Sequence, residues 1–123
     1  MEKQEIVKHY FECWISRDFS KIEEYFNQDI TYRECYGPVY KGIGEIYQWL
    51  EHMLEKQIVL EWSIYRILEV SEDILVVEWY FNAKEKEEYA FDGVSVIEFS
   101  KGKIQSICEY ECKHVTYRPF LRK

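Results

Sequence analysis

The chain has 123 residues, about the length of one domain. Its 16 Lys and Arg against 23 Asp and Glu give a net charge of −7, which argues against binding to nucleic acid or to an anionic membrane surface, since both need a basic face. Hydrophobic residues make up 47% and aromatic residues 18%, which is too apolar for a disordered chain, and large rings also line small-molecule cavities.

Targeting and cofactor signals are sparse. No apolar run approaches the ~18 residues of a membrane span, and Ile6 and Val7 are followed at once by Lys8 and His9, which leaves no signal-peptide core. We therefore expect a cytoplasmic protein without a disulfide framework, in which four irregularly spaced cysteines are small buried or half-buried side chains: Cys13, Cys35, Cys108 and Cys112. The sequence has no Gly-rich phosphate loop and no set of metal ligands, so we predict no cofactor and no metal.

The N-terminal third has helical periodicity. A first helix is predicted by apolar residues at helical spacing: Ile6, Tyr10, Cys13 and Trp14. Ser20-Lys21-Ile22-Glu23 fits a capping box and predicts the start of a second helix, and Asn27-Gln28-Asp29 predicts a turn. A short strand is predicted at Ile30–Glu34, and a third helix has a predicted inner face made by Ile46, Leu50, Met53 and Leu54.

From Gln57 onward the apolar residues alternate with polar ones. This pattern predicts four strands joined by short turns, at residues 58–70, 74–83, 89–100 and 104–113. Helices followed by hairpin-linked strands predict an α+β fold for one domain over residues 1–123, with a strongly curved, mostly antiparallel sheet and three N-terminal helices on its concave face. Such a sheet leaves a cavity at its open end.

Three stretches resemble a known family. They are Phe26–Tyr32, Tyr36–Ile46, and Phe91–Phe99 followed by Gly102-Lys103-Ile104 and Glu109-Tyr110. With these stretches the chain is similar to the nuclear transport factor 2-like superfamily, in its SnoaL-like branch. The resemblance implies a cone-shaped fold, an α+β roll, with a pocket between helices and sheet. The same fold hosts ketosteroid isomerase, scytalone dehydratase, limonene epoxide hydrolase, polyketide cyclases and non-catalytic binding domains, so it does not settle activity.

The resemblance implies roles for four residues. Glu34 falls where the isomerase has its general base, and a carboxylate at an apolar wall has a raised pKa that suits proton transfer. Tyr10 falls at the tyrosine that donates to the oxyanion. Ser95 stands where the isomerase has a protonated Asp, so it supplies a hydroxyl donor and not that acid. Glu109 lies on the strand where polyketide cyclases of this branch keep an acid/base carboxylate.

Other polar residues have two interpretations each. Glu111 shares a strand face with Glu109, and Glu78 faces that strand across the sheet, so two carboxylates in one cavity would raise one pKa. The alternatives are that one carboxylate forms a buried salt bridge with Arg33 or Arg66, or that the strand faces are reversed. His114 lies near the expected mouth, either in the pocket or solvated at a strand end.

Aromatic residues are expected both in the pocket and on the outer sheet face. Predicted ligand contacts are Trp14, Tyr32, Trp49, Met53 and Tyr80, with Trp62 as a further candidate, although Trp62 or Trp79 is expected to face outward. The outer sheet face is predicted to be apolar and to pair two copies in a homodimer, as in relatives, through Val77, Trp79, Phe81, Val94, Val96 and Tyr110.

The sequence leaves two hypotheses for function. The first is a pocket protein for a small apolar molecule that carries out acid/base chemistry, as an isomerase, dehydratase or cyclase on a carbonyl or polycyclic substrate. The second is a non-catalytic ligand-binding or dimerisation module of the same fold. If Glu34 and Glu109 both point outside one cavity, the first hypothesis loses its chemical support.

Overall fold

The computed structural model describes residues 1–121. The elements in chain order are α1 (Lys3–Ser16), α2 (Ile22–Tyr25), β1 (Phe26–Arg33), β2 (Val39–Lys41), α3 (Ile43–Lys56), β3 (Ile58–Glu69), β4 (Ile74–Lys84), β5 (Glu88–Ser100) and β6 (Lys103–Cys112). The strand boundaries from β3 onward differ from the predicted ones by at most a residue or so, because short polar turns separate strongly alternating segments.

The strands form one sheet in the order β2-β1-β6-β5-β4-β3. All neighbours are antiparallel except β1 and β6, which run parallel and place Tyr32 beside Ile107. This confirms the predicted α+β class with a curved, mostly antiparallel sheet. Register shifts in the β3–β4 ladder fit the curvature, since a bulge bends its strand and increases its twist.

The inner face of the sheet is the one covered by helices. On β4 it carries the buried residues Leu75, Val77, Trp79, Phe81 and Ala83, while the residues between them are partly exposed. Phe11 of α1 stacks on Trp62 of β3 with ring centroids 3.7 Å apart, and Trp49 of α3 packs on Tyr32 of β1 at 4.8 Å. The aromatic core therefore lies between the two long helices and the sheet.

Three of the six residues that were predicted on the outer sheet face lie on the inner face. Val77, Trp79 and Phe81 are buried on the inner face. The reason is strand register: Val77 lies opposite Ser95 and must share its face. The partly exposed residues Val94, Val96 and Tyr110 alternate with that inward set and do lie outside.

Local structure near α2 also differs from the prediction. The helix is a single turn with no side-chain cap, and the side chain of Asp18 accepts a hydrogen bond from the Ser20 N–H at 2.9 Å. The predicted turn at residues 27–29 belongs to β1. The Asn27 side chain donates to the Ser100 carbonyl at 3.0 Å, so a tertiary contact holds a turn-forming residue in a strand.

Candidate active site

A cavity of about 40 Å³ lies between the long helices and the inner face of the sheet. Its walls hold two carboxyl groups and no Lys or Arg, and most of the remaining lining is aromatic. The lining residues are Trp14, Tyr32, Glu34, Cys35, Tyr36, Trp49, Met53, Gln57, Trp62, Trp79, Phe81, Phe91 and Glu109. An apolar space with a few convergent polar groups is typical of a small-molecule site.

Glu109 on β6 is the buried carboxyl of the cavity, with 8% of its surface exposed. Burial raises the pKa of this carboxyl to about 8, although hydrogen bonds from Tyr32 and Ser95 favour the charged form. At pH 7 the group is therefore mostly the neutral acid. Tyr32 Oη, at 2.9 Å, and Ser95 Oγ, at 3.1 Å, both donate to Oε2, which leaves Oε1 for a ligand.

Two chains of hydrogen bonds hold Glu109 from behind. Tyr10 Oη donates to Tyr32 Oη at 2.7 Å, and Trp79 Nε1 donates to Ser95 Oγ at 2.9 Å. Burial raises the pKa values of Tyr10 and Tyr32 well above the ordinary value, so both hydroxyls stay protonated. Because the members are buried and satisfied, the network fixes the orientation of the carboxyl.

Glu34 follows directly after β1 and is half-buried. Burial raises the pKa of its carboxyl, while a hydrogen bond from Tyr40, the charge of Lys56 and the indole N–H of Trp49 act in the opposite direction. Tyr40 Oη donates to Glu34 Oε1 at 2.7 Å. Since Glu34 is less buried than Glu109 and has these partners, we infer that it ionises first when the pH rises.

Trp62 is the centre of the aromatic lining. Its ring stacks on Phe11 and meets Trp79 and Phe81 nearly at right angles, with centroids 5.6 and 5.4 Å away. Such edge-to-face pairs are a favourable arrangement of rings. The Trp62 indole N–H is buried and has no hydrogen-bond partner among residues 1–121.

Gly93 makes room for one wall of the cavity. It lies opposite Trp79 in the β4–β5 ladder, and a Cβ at this position would come within 2.3 Å of the Trp79 ring. Glycine therefore lets the indole lie against the β5 backbone. From there the indole N–H reaches Ser95.

An open groove beside the cavity forms its entrance. The groove has a volume of about 410 Å³ and shares Glu34, Tyr36, Trp49, Met53 and Gln57 with the cavity wall. Glu34 thus lies where the entrance meets the cavity, whereas Glu109 does not line the entrance. A ligand passing inward would meet Glu34 before it reached Glu109.

Two of the four predicted catalytic residues line the cavity, and the other two lie behind it. Glu34 and Glu109 line the same cavity. Tyr10 and Ser95 are fully buried behind it and outside the cavity wall; Ser95 donates to Glu109, and Tyr10 donates to Tyr32, which donates to Glu109. Among the predicted ligand-binding residues, the structure places four in the wall: Trp14, Tyr32, Trp49 and Met53.

The other predicted ligand-binding residues lie outside the cavity. Glu78 pairs with Arg66, as one interpretation expected, but the pair lies on the outer sheet face and is partly exposed, not buried. Tyr80 packs on His114 on the same side, with ring centroids 4.7 Å apart. Both β4 residues alternate with the inward-facing Trp79, which excludes them from the inner face. Glu111 is exposed beyond the cavity wall.

Several cavity residues were not predicted as ligand contacts. These are Trp79, Phe81 and Phe91; Trp62, a further candidate, also lines the wall, although Trp62 or Trp79 was expected to face outward. A signal for the β4 residues was present, because positions 75, 77, 79 and 81 are more apolar than positions 76, 78, 80 and 82. The loop residues Cys35 and Tyr36 and the post-helix Gln57 gave no comparable signal.

Residues 1–121 show neither a metal site nor a membrane-spanning helix. No group of three His, Cys, Asp or Glu side chains there is arranged to hold a metal ion. No helix in the same range is both long and apolar enough to cross a membrane.

Helices packed over a curved sheet, with a mostly apolar pocket that holds two carboxyl groups between them, define a class of protein. The family model of the SnoaL-like domain matches residues 7–107, and the chain therefore belongs to the SnoaL-like family of the nuclear transport factor 2-like superfamily. A comparison with curated proteins found no match.

Solved structures share this fold at low sequence identity. A candidate isomerase from Bacillus subtilis is 14% identical with a TM-score of 0.79, covering 91% of this chain and 90% of its own. An LEH-like epoxide hydrolase from M. tuberculosis is 17% identical with a TM-score of 0.78, covering 89% and 82%. A Catenulispora acidiphila DSM 44928 protein with a ketosteroid isomerase-like fold, in complex with trimethylamine, is 19% identical with a TM-score of 0.76, covering 86% and 84%.

Proposed function

We propose that this SnoaL-like protein is an acid/base enzyme that moves a proton on a small carbonyl compound, as an isomerase, dehydratase or cyclase does. The observation that carries the proposal is that Glu34 and Glu109 line one apolar cavity and both have raised pKa values. Two carboxyl groups whose surroundings separate their pKa values can serve as base and acid at the same pH.

The geometry supports a separate role for each carboxyl. Glu34, at the entrance and ionising first, would take a proton from the carbon next to the carbonyl. Glu109, mostly neutral at pH 7, would hydrogen-bond through Oε1 to the oxygen that gains negative charge. Return of the proton to the same or another carbon would complete exchange or isomerisation. Tyr10 and Ser95 would be positioning residues for Glu109.

Proton exchange in D₂O tests this proposal. Loss of the α-protons of cyclopentanone, followed by ¹H NMR, is expected to be faster with the protein than in buffer. Exchange should fall to the buffer rate in Glu34→Gln and drop by roughly 10²- to 10⁴-fold in Glu109→Gln, the usual range for a lost acid or base. The exposed carboxylate Glu111 supplies the matched control, and Glu111→Gln should retain the wild-type rate.

Two results would count against catalysis. Exchange that is unchanged in Glu34→Gln would remove the base from the mechanism. A Glu109 carboxyl titrating near the ordinary value of about 4.3 would remove the acid, and ¹³C NMR of the labelled side chain measures this directly. Cyclopentanone that binds in the cavity without faster exchange would favour the alternative, a ligand-binding module without catalysis.

We also propose that two copies pair through the outer sheet face. Exposed apolar side chains there include Tyr65, Val96 and Tyr110, of which Tyr110 is 54% exposed. Tyr110 lies beside Val94 in the β5–β6 ladder, and adjoining exposed apolar side chains favour a protein partner over solvent. Sedimentation equilibrium should give a dimer for the wild type and a monomer for Tyr110→Asp, and a wild-type monomer at high concentration would contradict the pairing. The cytoplasmic location stays a prediction.

A further inference from the structure

We propose that the cavity selects a compact ligand, no larger than a single small ring, and that Trp62 is the residue that sets this limit. The inference rests on the proposed function, because it takes the same cavity as the ligand site. It narrows the substrate class to small carbonyl compounds and excludes fused polycyclic ones.

The space inside the cavity is small. The cavity measures about 40 Å³. One buried water needs ~10–15 Å³ of such space, and pockets for drug-sized ligands run to ~300–1,000 Å³. The cavity continues outward into the entrance groove but not inward, where aromatic rings close it. A ring whose carbonyl reaches Glu109 while its α-carbon faces Glu34 therefore has no room for a second fused ring at the Trp62 end of the cavity.

Trp62 is held in place by rings on several sides. Phe11 stacks on its face, and Trp79 and Phe81 meet it edge-on. Tyr10 and Trp14 pack against it as well, with centroids 5.9 and 6.5 Å away. Trp62 is half-buried, and on its packed sides the indole cannot move without displacing these rings, because packed protein interiors leave little free space. The rings therefore hold Trp62 in place as the inner wall of the cavity.

The side of Trp62 that faces away from the cavity is covered by another ring. Phe11 contacts the far face of the Trp62 ring and is not part of the cavity wall. A smaller side chain at position 62 would thus join the cavity to the space in front of Phe11. Widening at Trp14 or Trp49 would instead enlarge the side formed by the helices.

The size limit should be visible in which of two related ketones binds more tightly. Burial of apolar surface alone favours the larger of two related ketones, since each buried CH₂ contributes ~0.8 kcal/mol. A preference for the smaller ketone therefore reports a closed cavity and not general hydrophobicity.

The test compares cyclopentanone with the two-ring ketone 2-tetralone, with the indole N–H signals in ¹H–¹⁵N NMR spectra as the binding probe. The wild type is expected to bind cyclopentanone at least about tenfold more tightly, a difference of ~1.4 kcal/mol. In Trp62→Leu the order should reverse in favour of 2-tetralone. Phe99→Leu is the control, because Phe99 is a buried ring outside the cavity wall and its truncation should leave the wild-type order.

Each other outcome overturns the inference. Tighter binding of 2-tetralone by the wild type refutes the size limit and leaves the proposed function standing. An unchanged order in Trp62→Leu, or an equal change in Phe99→Leu, refutes the role of Trp62. Failure of both ketones to bind any variant refutes the inference together with the cavity as the ligand site. If Trp62→Leu does not fold, Phe81→Leu replaces it, with the same reversal expected because Phe81 lines the same end.

Discussion

Glu109→Gln should change how the stability of the protein depends on pH. The folded-state pKa of Glu109 is about 8, above the ordinary value near 4.5, because the carboxyl is buried. A buried acid of this kind holds its proton more tightly in the folded state than in the unfolded state. The stability it contributes is therefore complete below pH ~4.5 and is lost as the pH rises to about 8.

The structure sets the size of this effect. One proton bound only by the folded state changes the free energy of unfolding by ~1.4 kcal/mol per pH unit, so the full shift from 4.5 to about 8 corresponds to roughly 5 kcal/mol. Glutamine keeps the side-chain length, and its amide oxygen can accept the hydrogen bonds of Tyr32 and Ser95. The variant thus removes the titration while leaving the network close to intact.

Urea unfolding of both proteins at pH 5, 6, 7, 8 and 9 measures the difference. The stability of the wild type relative to Glu109→Gln should fall steadily between pH 5 and 8 and then become constant. Other titrating groups, including Glu34, contribute similarly to both proteins and largely cancel. A difference that does not vary with pH over this range would mean that Glu109 is already ionised in the folded protein, and the proposed acid would be lost.

Three further predictions concern the surroundings of Glu109 and the outer face. Gly93→Ala should destabilise the protein by ~1–3 kcal/mol in thermal unfolding, because its Cβ would clash with the Trp79 ring; wild-type stability would contradict this packing. Tyr32→Phe should raise the pKa of Glu109 further above 8, since it removes a hydrogen bond to the charged form, and ¹³C NMR showing a lower pKa would refute that role. Glu78→Gln should leave cyclopentanone binding unchanged in the NMR titration, because this carboxylate lies on the outer face, and weakened binding would place it at the site instead.

Local patterns in the sequence were sufficient for most of the fold. Alternation and short polar turns located β3 to β6 closely, and helical spacing located α1 and α3. The capping box at Ser20 failed because the Ser20 N–H bonds to Asp18, and the turn at residues 27–29 failed because these residues belong to β1, which pairs with β6. Propensities describe a segment in isolation, whereas strand pairing depends on a distant partner.

The inward face of β4 shows the limit of pattern reading. Alternation separates Trp79 from Glu78 and Tyr80, but it does not state which set meets the helices. The register of Val77 with Ser95 settles the question, and it is a contact between strands. The incorrect prediction of which β4 face points inward placed Trp79 and Phe81 on the outer face and Glu78 and Tyr80 at the site.

By itself the sequence determined the order of elements, the family and the residue types able to carry acid/base chemistry. Only the tertiary structure decided that Glu34 and Glu109, 75 positions apart in the chain, line one cavity, because the parallel pairing of β1 with β6 brings their strands together. It also decided that Tyr10 and Ser95 stand behind Glu109. The raised pKa of Glu109 and the small size of the cavity have the same origin, since both arise from rings of separate elements packing around one carboxyl and excluding water.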